Sequence, residues 1–121
     1  MPDSERRSAS RLPVLLGAEI ETPDGRVRSA VSKDASPTGL LLLTRAELAI
    51  GDKVRLHVHR SDTELPPLEV VGHVVRSEAL DESEALLWRR KVAVAIENMP
   101  PELFADAREL AEHQARIYHT K

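Results

Sequence analysis

The 121 residues make an ordinary single domain and leave too little chain for a second full core. A hydrophobic share of 41% supports folding, while an aromatic share of 2%, only Trp88, Phe104 and Tyr118, excludes a stacking platform for single-stranded nucleic acid. Seventeen Lys and Arg against twenty Asp and Glu give a net charge of −3, so the molecule offers no broad positive field to a nucleic acid polymer, and any anion site must be local.

Residues 1–11, MPDSERRSASR, are polar and carry Arg6, Arg7 and Arg11, with no apolar side chain larger than Ala after Met1. They read as a flexible tail with nothing to bury. The stretch lacks the apolar run of a signal peptide, and nothing later approaches the ~18 consecutive apolar residues of a membrane span. The absence of cysteine removes disulfides and thiolate metal sites and suits a reducing compartment. A cytoplasmic protein without membrane insertion is the expectation.

From Leu12 to the C-terminus the chain reads as one domain. VLLGAEIET is followed by the turn Pro23-Asp24-Gly25, then VRSAV, then DASPTG between strands, then LLLLT. Residues 45–51 hold a helical turn at most. Val54, Leu56 and Val58 alternate with Arg55, His57 and His59, the period of a half-buried strand. LEVVGHVVRSE and KVAVAIE add two more strands. In the latter, Val92, Val94 and Ile96 share one face and Ala93, Ala95 and Glu97 the other. About six strands joined by short links, with no long amphipathic helix among them, argue for an antiparallel sheet closed as a small barrel or a sandwich. After Pro100-Pro101 the period changes. Leu103, Ala107, Leu110, Gln114 and Ile117, with Phe104, Ala111 and Tyr118 beside them, predict one amphipathic helix over about residues 102–117 that packs on the sheet.

Two local patterns stand out: Arg7-Ser-Ala-Ser-Arg11 before the first strand, and Asp34-Ala-Ser36-Pro-Thr-Gly39 ahead of the apolar run Leu40 to Leu43. Together, in this order and spacing, they resemble the RxxxR and D/NxSxxG motifs of the PilZ domain family, and Arg6 adds a doubled arginine at the first. The resemblance covers essentially the whole chain. It implies a mainly β fold, a six-stranded antiparallel barrel with a C-terminal helix, and a receptor for the bacterial second messenger cyclic di-GMP. By the same resemblance Arg6, Arg7, Arg11, Asp34, Ser36 and Gly39 are the ligand-binding residues, with no cofactor and no metal.

The residue chemistry suits such a ligand. Guanidinium groups clamp phosphate bidentately, bond the O6/N7 edge of guanine and stack on its face. A carboxylate at Asp34 accepts guanine N–H groups or orients an arginine, and a hydroxyl at Ser36 donates to a phosphate oxygen. Gly39 permits either a positive φ or a close backbone approach that a β-carbon would block. Pro37 stiffens the loop.

Each feature also has a bland counterpart. Arginines in a polar tail are usually solvated charges, and Asp-x-Ser-x-x-Gly alone is usually a turn whose side chains bond local amides. His57 and His59 share a strand face and His73 is a third imidazole, but none has a carboxylate or cysteine at ligand spacing, so an exposed strand face is the better reading. Trp88 beside Arg89-Arg90-Lys91 reads as a packing residue, and Asp81, Glu82 and Glu84 as a solvated run. No nucleophile elbow, phosphate loop or paired catalytic motif is present, so the chain is not expected to be an enzyme. The expected partners are cyclic di-GMP and a downstream protein, the protein itself being a monomer or homodimer. The alternative is a PilZ-like adaptor that binds proteins without nucleotide.

Overall fold

A computed structural model describes residues 12–60, 62, 64–81 and 87–119. The tail with Arg6, Arg7 and Arg11, and the acidic residues Glu82 and Glu84, lie outside the described residues, as does the side chain of Tyr118. Six strands, β1 (Leu12–Glu21), β2 (Val27–Ser36), β3 (Gly39–Thr44), β4 (Lys53–Val58), β5 (Leu68–Ala79) and β6 (Arg90–Ile96), precede one helix, α1 (Pro101–His119). Every strand pairing is antiparallel, in the order β1-β2-β3-β6-β5-β4. The ladder between β1 and β4, from Ala18 opposite Val58 to Glu21 opposite Arg55, closes the sheet into a barrel and removes the edges a sandwich would leave open.

Alternation along each strand fills the interior with aliphatic side chains. Val54, Leu56 and Val58 point inward from β4, Leu40 and Leu42 from β3, and Val92, Val94 and Ile96 from β6, all buried. Two polar residues share this interior, and both are satisfied: Ser32 Oγ donates to Asp34 O at 2.8 Å, and Thr44 Oγ1 donates to Ser29 O at 3.0 Å. Unpaired, each would carry a desolvation penalty of about 1–3 kcal/mol.

Helix α1 starts one residue earlier than the periodicity predicts, because Pro101 fits a first turn that needs no amide hydrogen from it. Leu103, Ala107 and Ala111 join the barrel's core cluster. The helix lies mainly along β1 and reaches β2. It is fastened by an ion pair from Arg60 Nε to Asp106 Oδ2 at 2.9 Å, and by the Gln114 side chain, which accepts from Leu15 N at 3.1 Å and donates to Leu15 O at 3.2 Å. This pair of hydrogen bonds sits where the β1 to β2 register shifts between Pro13 and Leu16, so the helix amide satisfies backbone groups that the shift takes out of the ladder. No described helix is long and apolar enough to cross a membrane.

Two sequence readings need adjustment. Residues 45–51 form no helical turn; Ala46 and Leu48 are buried, and Asp52 Oδ2 closes the segment by accepting from Ala49 N at 2.9 Å. The DASPTG segment is not a loop between strands. Asp34, Ala35 and Ser36 are the last residues of β2, because Asp34 and Ala35 pair with both β1 and β3 and Ser36 pairs with Gly39 of β3, and only Pro37 and Thr38 turn the chain.

Candidate functional site

The end of β2, which carries Asp34 and Ser36, lies beside the start of β1. Leu12, which follows Arg11, is opposite Ala35, and Pro13 is opposite Asp34. The chain therefore enters the barrel directly beside the Asp34–Ser36 segment. Arg6, Arg7 and Arg11 themselves fall outside the described residues, and what the structure fixes is the point from which their segment departs.

On the other side β2 pairs with β3, and a register shift between Ser32 and Asp34 re-aims the strand so that Asp34 and Ser36 are both half-buried at its outer surface. Ser36 caps its own turn: Thr38 N donates to Ser36 Oγ at 3.3 Å, and Ser36 Oγ reaches Gly39 O and Thr38 Oγ1 at 3.4 Å. These lengths are at the weak end of hydrogen bonding, so little is lost if the hydroxyl turns to a stronger acceptor. The turn is pinned from outside by Ile96 N, which donates to Thr38 O at 2.9 Å.

Gly39 resolves the alternative left open by the sequence. Its φ is not positive; the described glycines with positive φ are Gly25 and Gly51. A β-carbon at Gly39 would instead lie 2.5 Å from the carbonyl oxygen of Val94, a backbone atom that cannot swing away. Glycine is needed here because β3 and β6 press together at this point.

The outer surface of β2, β3, β6 and β5 forms a trough of about 160 Å³, lined by Asp34, Ser36, Gly39, Leu41, Ala93, Ala95, Val75 and Arg76. Register explains its shape. One row across the sheet runs Asp34, Leu41, Ala93, Arg76, and the next runs Ser36, Gly39, Ala95, His73. Leu41 stands next to Asp34, and the other central positions hold Gly39, Ala93 and Ala95, so the floor is low beyond it. Sequence patterning puts Ala93 and Ala95 on one strand face but connects neither them nor Arg76 with the hairpin. They lie far from both motifs along the chain, and only strand register brings them in.

His57 and Trp88 stay apart from this place, while His73 ends the second row on β5. His57 lies opposite Glu19 and Glu69, whereas His73 lies opposite Lys53 and Ala95. Among the described residues no three His, Cys, Asp or Glu side chains are grouped to hold a metal ion. Trp88 is half-buried on the link into β6, away from the trough lining.

Comparison with known proteins agrees with the fold. The family model described as PilZ domain matches residues 5–113. Several solved structures are similar, among them the following two. The PilZ domain with c-di-GMP of YcgR from Escherichia coli superposes with a TM-score of 0.67 at 15% identity, covering 92% of this chain and 95% of that one. The Bacillus subtilis inhibitor of motility MotI/DgrA superposes with a TM-score of 0.59 at 18% identity, covering 93% of this chain and 50% of that one, so the present chain spans half of MotI's length. A search of curated proteins finds no match.

Proposed function

Since this chain belongs to the PilZ domain family, whose members are non-enzymatic receptor and adaptor domains, we propose that it is a receptor for cyclic di-GMP, held between the arginine segment and the β2–β3 hairpin. The observation that supports this reading is the register of Leu12, the residue after Arg11, against Ala35, which lies between Asp34 and Ser36. Arg11 adjoins Leu12, and Arg7 is five residues from it, so Arg7 stays within about 18 Å of that anchor even in a fully extended chain. Both arginines reach a dianion lying in the trough.

In this arrangement Arg7 and Arg11, with Arg6 beside them, clamp the phosphates bidentately or stack on guanine. Asp34 accepts guanine N–H groups or orients an arginine, Ser36 donates to phosphate, and Gly39 leaves room for the ligand. Ligand then ties the arginine segment to the barrel, and that ordering changes the surface offered to a downstream protein. It shifts the equilibrium only by its difference in affinity for the two states.

Calorimetric titration of the full chain with cyclic di-GMP, with GTP and cyclic di-AMP as controls, tests the proposal. The expected dissociation constant is low micromolar or tighter, about −8 kcal/mol, weakening as salt rises. No binding at several hundred micromolar ligand overturns the receptor reading in favour of a nucleotide-independent adaptor.

A further inference from the structure

We propose that Arg76 on β5 is a further ligand contact, a cation fixed on the barrel that grips a phosphate of the cyclic dinucleotide from the wall opposite Asp34. The inference rests on the receptor reading and adds to it a residue outside both sequence motifs.

Its placement comes from the sheet. Arg76 is opposite Ala93, Ala93 opposite Leu41, and Leu41 opposite Asp34, so three inter-strand spacings, about 14 Å along the sheet, separate the two charged walls. Arg76 and Asp34 form no ion pair across that distance and stand on opposite sides of the trough. The β5 to β6 register shifts between Val74 and Arg76, and the shift turns two consecutive residues, Val75 and Arg76, to the outside. Bulges of this kind re-aim side chains next to binding sites.

Its electrostatics point the same way. Three other cations on β4 and β6 have acidic partners: Lys91 Nζ lies 3.9 Å from Glu78, Arg90 Nε 3.4 Å from Glu47, and Arg55 Nη1 3.4 Å from Glu69. Arg76 has no hydrogen bond or ion pair with any described residue, although it lines the same trough as Asp34 and Ser36. The floor between them is built from Leu41, Gly39, Ala93 and Ala95, and the three small residues keep it low from Arg76 across to Gly39 of the hairpin. Leu41 and Val75 supply apolar surface on which a base plane can rest. A guanidinium with free donors, a low-floored trough with apolar patches and a polar hairpin on the far wall together suit a ligand carrying phosphates and bases.

Titration of cyclic di-GMP into wild type, Arg76→Ala, Arg76→Lys and Arg55→Ala tests this, at about 0.15 M salt and again at higher salt. Arg76→Ala should bind at least ten-fold more weakly, a loss of about 1.4 kcal/mol, and with a shallower salt dependence. Arg76→Lys should fall between it and wild type, Arg55→Ala should stay within two-fold, and the melting temperature of all four empty proteins should agree. Arg76→Ala binding within two-fold of wild type overturns the Arg76 assignment and leaves the receptor reading intact. A melting temperature lowered in empty Arg76→Ala also overturns it, making the residue part of the fold. Wild type that does not bind overturns the receptor reading, and the role of Arg76 with it.

Discussion

The hairpin turn at Thr22–Arg26 and the one at Ser36–Gly39 join β2 to its two sheet neighbours, and both are made from Thr, Pro, Gly and a polar side chain. In the first, the polar groups serve the turn. Asp24 accepts from the Thr22 hydroxyl and from Arg26 N, and Thr22 N donates to Arg26 O at 2.8 Å. Gly25 is there for its φ of +86°, and a β-carbon on it would meet nothing within 4 Å. In the second, Gly39 is there because of what lies opposite it, and Ser36 makes only long contacts of 3.3–3.4 Å. One hairpin is complete in itself. The other is fitted to its surroundings and keeps a hydroxyl available at the edge of a trough.

The glycines give the largest contrast. Gly39→Val should destabilise the empty protein by about 3 kcal/mol, because the clash is with the Val94 carbonyl and backbone must move. Gly25→Ala should cost only about 1 kcal/mol, the strain of a left-handed conformation in open space. Urea denaturation of both variants measures the difference, and equal losses would show that the two glycines do the same work.

Binding should separate the hairpins next. Arg7→Ala or Arg11→Ala should each weaken cyclic di-GMP by about 2 kcal/mol, roughly 30-fold, without changing the melting of the empty protein. If either substitution lowers the melting temperature, the arginines belong to the fold and the ligand argument at this end fails.

The brace between the helix and β1 comes third. Gln114→Ala removes both bonds to Leu15 and should cost about 1 kcal/mol in chemical denaturation, with hydrogen exchange faster at Leu15 than at Glu19. An unaltered Leu15 exchange rate would mean the bracket is not holding the irregular start of β1.

The smallest effect belongs to the self-contained turn. The Thr22 hydroxyl, followed by the Arg26 amide, holds the Asp24 carboxyl below the usual carboxylate range. A lowered folded-state value means that its contribution is present above that range and fades as pH falls through it toward the lowered value. Asp24→Asn should lower the melting midpoint slightly at neutral pH and match wild type in strong acid; a constant offset at both would remove the electrostatic explanation.

Much of this architecture is legible in the sequence because burial alternates cleanly. Val54, Leu56 and Val58, and Val92, Val94 and Ile96, announce their inward faces directly, and the change of period after Pro100-Pro101 announces the helix. The irregularities are not legible. Register shifts at Pro13/Leu16, Ser32/Asp34 and Val74/Arg76 depend on how two strands pair, and periodicity along one strand does not contain that information. For this reason Asp34 and Ser36 look like loop residues when they end a strand. Arg76 looks like one more surface charge for the same reason, and Gln114 like part of an apolar stripe when its amide bonds Leu15.

Hydrogen exchange with and without cyclic di-GMP tests the central claim most directly, because it compares the two hairpins within one molecule. The account predicts slowed exchange over residues 5–12 and 34–39 on adding ligand, with residues 22–26 unchanged and α1 changing less. Equal slowing at both hairpins and throughout the chain would indicate only global stabilisation by ligand, and protection elsewhere with none at 5–12 or 34–39 would place the nucleotide at another site; either result contradicts a ligand bridging the arginine segment and the second hairpin.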